Sequence, residues 1–137
     1  KECRQPYVPD EAEIERLLDE YCDELRHTLA WQADPQAARA SILQAWRNQF
    51  LVDGQFRLYR PQGCPVCNES GYKGRVGLHE LMLGTDPVKK LIQEKARVAQ
   101  ILACALNEGM RTLKMDGIEK VLQGITDLKQ VRSVCIK

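Results

Sequence analysis

Gly63-Cys64-Pro65-Val66-Cys67-Asn68-Glu69-Ser70-Gly71-Tyr72 decides how this chain is read. Two thiols two residues apart, on a turn with glycine on both sides, form half of a tetrahedral zinc site. Cys3, in Cys3-Arg4-Gln5-Pro6-Tyr7, is the only other cysteine in a turn-like setting and is the expected third ligand. A C-x-x-C pair ending at Cys3 would place its first cysteine one residue before Lys1. The fourth ligand is therefore expected outside this chain, and the chain reads as a fragment cut inside or beside a metal motif. Cys22, His27 and His79 are its substitutes, with Cys22 reading as helix core and the histidines as surface or structural groups. A redox C-x-x-C opens a helix, whereas Asn68-Glu69-Ser70-Gly71 breaks one, which favours zinc over a thiol redox enzyme.

Around this motif the composition is that of a soluble globular protein. Of 137 residues 44% are hydrophobic but only 6% aromatic, so the core is expected to be Leu, Ile, Val and Ala. Twenty basic side chains against 19 acidic leave a net charge of +1, which supplies no drive toward nucleic acid or an anionic membrane. That balance weighs against a free-standing zinc ribbon that binds nucleic acid. No apolar run reaches the length of a membrane span, and no signal-peptide pattern opens the chain. Cys22, Cys104 and Cys135 lie in helical patterns as small apolar residues, so a reducing cytoplasm is expected rather than a disulfide framework.

Asp10 with Glu13 reads as a helix cap, followed by Ile14, Leu17, Leu18, Tyr21, Leu25 and Leu29 at helical spacing. The acids crowding this stretch, from Glu11 to Glu24, read as a solvated face. Asp34-Pro35 starts a second helix carrying Ala38, Ile42, Ala45, Trp46 and Phe50 along one side. Leu51–Tyr59 reads as a hairpin around Asp53-Gly54. Val76 to Leu83 alternates as a half-buried or buried strand. Further helices are expected from Thr85-Asp86-Pro87, from about Val98 to Asn107, from Thr112 to Gln123, and after Thr126 with Leu128, Val131 and Val134 inward. The predicted fold is mainly α with a small β part. A zinc-ribbon-like metal module spans 1–75, with a helical insertion at about 11–50, and a helical bundle led by one strand spans 76–137.

Few other residues suggest chemistry. Gly71-Tyr72-Lys73-Gly74-Arg75-Val76-Gly77 is neither a G-x-x-x-x-G-K-S/T phosphate loop nor G-x-G-x-x-G, and reads as a tight turn beside the metal. Arg75 suits contact with a phosphate or a neighbouring domain, and an ion pair with Glu80 is the competing expectation. His79-Glu80 has no nucleophile or second histidine at useful spacing, so no catalytic residue is assigned.

Cys3–Tyr7, Gly63–Leu81 with its Gly-Tyr-Lys-Gly-Arg-Val-Gly-Leu-His-Glu run, and Gly109–Thr126 resemble, in the same order, the tetracysteine region and C-terminal end of the hexameric ATPases that drive type II secretion and type IV pilus assembly. Residues from about 11 to 60 are unmatched in detail and read as a long insertion. The resemblance implies a parent with a RecA-like core that hydrolyses ATP with Mg2+, its Walker elements upstream of Lys1, and a tetracysteine subdomain that binds zinc. It implies C-terminal helices packed on the motor and on neighbouring subunits of the hexamer. It also implies a cytoplasmic protein at the inner-membrane face, working with a platform protein and an anchoring component without inserting into the membrane. The chain alone is expected to be a monomer without ATPase activity.

Overall fold

A computed structural model describes residues 3–135. Strand β1 (Arg4–Tyr7) leads into helix α1 (Glu11–Asp23), where Asp10 accepts a hydrogen bond from the Glu13 N–H at 2.7 Å. Helix α2 (Leu29–Ala33) and helix α3 (Pro35–Phe50) follow, and Asp34 caps α3 with Pro35 in its first turn. Strands β2 (Leu51–Val52) and β3 (Gln55–Phe56) form the expected hairpin, with Asp53 and Gly54 both at positive φ as a two-residue turn of that hand requires. Strand β4 (Leu58–Pro61) then returns to pair antiparallel with β1 in the register Arg4–Pro61 to Tyr7–Leu58. The rest is helical: α4 (Asp86–Gln93), α5 (Val98–Asn107), α6 (Leu113–Leu122) and α7 (Leu128–Val134). The molecule is thus mainly α with a small two-sheet β part.

One mostly aliphatic core joins most of these elements. Ile14, Leu17 and Leu18 of α1 join Met115, Ile118, Val121 and Leu122 of α6, with Trp46 of α3, Leu58 of β4 and Val131 of α7. The N-terminal and C-terminal stretches therefore share a core. Tyr21 stands edge-on to Trp46, with ring centroids 5.3 Å apart, and its hydroxyl donates to Glu119 at 3.1 Å. Burial pushes the Tyr21 phenol above its ordinary range, and the Glu119 charge adds to the effect. Gly117 permits the close approach of α6 and α7, because a Cβ there would stand 2.6 Å from a Val131 methyl.

Four sequence expectations require correction. The first helix ends at Asp23 rather than running to Leu29. Thr28 interrupts it by donating to the Leu25 carbonyl at 2.7 Å and capping α2, a side-chain alternative to helical pairing. The acidic face of α1 is only partly solvated: Glu15 and Asp19 both hold Arg39 of α3, and Glu20 holds Arg132 of α7. The last helix is capped by Asp127 rather than Thr126, and Val134 faces outward at 57% exposure. Val76–Leu83 is not a strand, since no described strand lies beside it to accept its ladder. Instead the His79 N–H donates to Asp116 at 2.9 Å, Glu80 accepts from the Leu113 N–H at 2.8 Å, and Leu81 is 72% exposed.

Two measurements check this packing. Ile118→Ala should cost about 2–5 kcal/mol in chemical denaturation, while Leu81→Ala should stay within about 0.5 kcal/mol. Asp116 resists ionisation through burial, but Lys120 at 2.7 Å and the His79 N–H outweigh this and hold its pKa below the ordinary value. Its folded pKa is lowered, so its contribution is complete above the unfolded value of about 3.9 and is lost as pH falls through the folded value. Asp116→Asn should therefore flatten the acid limb of a stability–pH curve and leave the alkaline limb unchanged.

Candidate metal centre

The cysteine site is assembled by the β1–β4 pair. Cys3 directly precedes β1, and its carbonyl accepts the Gln62 N–H at 2.8 Å, just beyond the end of β4. Cys64 and Cys67 follow at once, Cys67 closing a single 3-10 turn that Pro65 opens. Asn68 and Glu69 then take left-handed conformations, which send the chain back so that the Glu69 N–H reaches the Cys64 carbonyl at 2.9 Å. Gly63 and Gly71 flank this knuckle for steric reasons. At Gly63 (φ +84°) a Cβ would stand 2.7 Å from the Glu69 carbonyl oxygen. At Gly71 (φ +83°) it would overlap the Pro61 side chain and stand 2.9 Å from Pro61 Cα.

The three sulfurs converge. Cys67 Sγ lies 3.5 Å from Cys3 Sγ and 3.6 Å from Cys64 Sγ, and all three sit within 4.8 Å of one another. Bonds of about 2.3 Å from sulfur to a tetrahedral zinc ion would set neighbouring sulfurs about 3.8 Å apart, close to both Cys67 separations. Two backbone N–H groups, those of Cys64 and Gly71, both point at Cys67 Sγ at 3.2 Å. Such donors favour sulfur as the thiolate, the form that binds metal. Burial opposes ionisation of Cys67, but these N–H groups and the Cys3 thiol outweigh it and bring its pKa down to about 7. Cys3 is pushed up to about 11, because its thiol donates to Cys67, with Cys64 beside it, and a second charge would stand beside the first.

Among the described residues no fourth Cys, His, Asp or Glu joins the cluster. Cys22 is 1% exposed inside the aliphatic core, and His27 is exposed away from the site. His79 lies against Gly77 with its backbone tied to Asp116. Arg75 is exposed and makes no ion pair with Glu80 among the described residues. The β1–β4 pairing and the Gly71 amide were not foreseen from sequence. The signal was there in Arg-Gln-Pro-Tyr and Leu-Tyr-Arg-Pro, two short runs whose Arg and Tyr side chains meet across the ribbon. Arg4 lies 3.9 Å over the Tyr59 ring, and Arg60 lies 4.0 Å over Tyr7.

The chain matches the family described as Type II/IV secretion system protein over residues 13–133. It is 32% identical over 121 residues to the type IV pilus assembly ATPase PilB of Acinetobacter baylyi, covering 88% of this chain and 20% of that protein. It is 43% identical over 117 residues to the PilB of Thermus thermophilus, covering 85% of this chain and 12% of that protein. It is 43% identical over 77 residues to the type II secretion system ATPase E of Vibrio cholerae, covering 56% of this chain and 15% of that protein. The family match includes the α1–α3 stretch that sequence reading left unmatched. The chain spans a fifth or less of the length of these relatives, and it belongs to the type II/IV secretion system protein family.

The knuckle makes a steric prediction. Gly74 also has positive φ (+78°), but nothing lies within 4 Å of a Cβ there. Gly74→Ala should cost about 1–2 kcal/mol for its backbone conformation alone. Gly71→Ala should cost a further ~1–3 kcal/mol for the overlap with Pro61. Equal losses in denaturant titration would show that Pro61 does not constrain the loop.

Proposed function

We propose that this member of the type II/IV secretion system family is a C-terminal, non-catalytic part of a hexameric ATPase that powers type II secretion or type IV pilus assembly. The observation that carries the reading is the family match along 13–133, which corresponds to a small share of relatives named as assembly ATPases. In this reading Cys3, Cys64 and Cys67 hold a structural Zn2+, with a fourth donor contributed from upstream of Lys1. The convergence of three sulfurs and the paired N–H donors at Cys67 support it. Zinc would fix the loop and supply no reaction chemistry.

ATP and Mg2+ belong to the parent's motor, since the chain contains no G-x-x-x-x-G-K-S/T segment to cradle a triphosphate. The fragment is a scaffold that passes motor movement to inner-membrane platform and anchoring proteins. The motor would work in the cytoplasm, held at the membrane through those partners. No helix among the described residues is long and apolar enough to cross a membrane. The Val76–Leu83 segment supports contact with upstream domains of the parent and with neighbouring subunits. Val76, Leu81 and Leu83 are 49, 72 and 65% exposed, and ladder partners for their backbone are absent among the described residues.

Elemental analysis of the purified chain should find about one zinc per chain. The content should fall on Cys67→Ser and tighten when a few natural residues are added before Lys1. A folded protein with no metal in either form would overturn the zinc assignment. The purified chain should show no ATP turnover above a buffer blank, and real turnover would overturn the non-catalytic assignment.

A further inference from the structure

Four of the exposed large apolar side chains share one location. Tyr72, Val76, Ile125 and Val134, each between 37 and 57% exposed, line a cleft of about 730 Å³ between the cysteine loop and the α6–α7 corner. Val131, buried in the core, reaches its floor. A cluster of exposed apolar groups in one concavity marks an interaction site more strongly than the same groups scattered.

The charge around this floor has one sign. Arg4, Arg60, Lys73 and Arg75 line the cleft, against the single acid Asp127. The Asp127 carboxylate is engaged in capping α7, accepting from the Gln130 N–H at 3.0 Å. Arg4 is held by the Gly124 carbonyl and the Tyr59 ring, and Arg60 by the Tyr7 ring. Lys73 and Arg75 have no ion pair among the described residues and stand on the loop that forms one wall. In a chain with a net charge of only +1, this is a local positive rim rather than a general one.

We propose that the cleft is a docking site for an acidic peptide segment of a partner protein, one that alternates carboxylates with apolar side chains. The apolar groups would cover Val76, Ile125 and Val134, and the carboxylates would meet Lys73 and Arg75. A bare phosphate suits the site poorly, because the cations sit on an exposed rim over an apolar floor rather than converging in a polar pocket. Apolar cover supplies the affinity, and the rim selects the sign of charge. The proposal depends on neither the zinc assignment nor the motor assignment.

The test is an NMR titration of the full 137-residue chain with a synthetic peptide alternating Glu and Leu. The methyl groups of Val76, Ile125 and Val134 should shift, and raised salt should weaken the effect. The double variant Lys73→Glu/Arg75→Glu should weaken binding about tenfold or more. Both side chains are exposed, so the fold should survive, and Arg75→Lys should retain most of the affinity. Shifts elsewhere, no shifts, or an unchanged affinity in the double variant would overturn the proposal. So would equal binding of a Lys-Leu peptide. Tighter binding of ATP or inorganic phosphate would make this a small-anion site instead. The same shifts on simply concentrating the chain would make the occupant a second copy.

Discussion

Pairing of Arg4–Tyr7 with Leu58–Pro61 is the constraint on which the rest depends. It closes a loop containing three helices and a hairpin, and it is the reason Cys3 stands beside Cys64 and Cys67. A two-stranded ribbon of this length is marginal alone, and closing the loop costs entropy that grows with the logarithm of its length. Four things offset that cost. The cation–π contacts lie on opposite faces of the ribbon, Arg4 with Tyr59 and Arg60 with Tyr7, each a diagonal cross-strand pair. Tyr7 also ties the ribbon to α1 through Glu13 at 2.6 Å. Leu58 enters the core, and Arg4 reaches across to the carbonyl of Gly124 at the end of α6.

That last contact shows how the two ends of the sequence become one body. Gly124 ends α6 in a left-handed conformation, and a Cβ there would run into the Tyr59 ring. The glycine is thus needed twice, for the backbone turn and for the approach of the ribbon. On the other side of α6, Met115 and Ile118 are fully buried, and Glu119 meets both Tyr21 and Arg111. α1 packs against both α3 and α6, so its acids are matched to bases on different elements: Arg39 on α3 and Arg132 on α7.

The legible parts of the sequence were those with local causes. Asp10, Asp34 and Thr85 cap the helices they were expected to cap, because a capping side chain acts within three residues of itself, and Thr112, expected as the first residue of α6, is its cap. The Asp53-Gly54 turn and the Cys64–Cys67 knuckle are equally local. The sequence misleads where a distant partner decides and where a local side chain competes with the periodic pattern. Alternation in Val76–Leu83 has the period of a strand, but a strand also needs a neighbour, and alternation cannot supply one. Thr28 broke a helical apolar pattern through its hydroxyl, a competition invisible to periodicity. The third sulfur was expected from its setting, while the ribbon that delivers it joins two short runs far apart in sequence, whose matching Arg and Tyr residues are its only local signal.

The cysteines themselves stand outside the main core: none of Cys3, Cys64 and Cys67 belongs to the cluster built on α1, α3 and α6. That core is closed without them. The loop from Gly63 to Arg75 is in the opposite situation, with five residues at positive φ and few apolar contacts of its own. That segment is fixed by its sulfurs and their N–H donors, by the Glu69 N–H on the Cys64 carbonyl and by the Ser70 hydroxyl, rather than by apolar packing. An ion at the three sulfurs would therefore order the loop rather than hold up the domain. Tyr72, Lys73 and Arg75 lie on that same loop and make one wall of the cleft beside α7. The sulfur knuckle and the positive wall of the cleft thus share one short stretch of backbone.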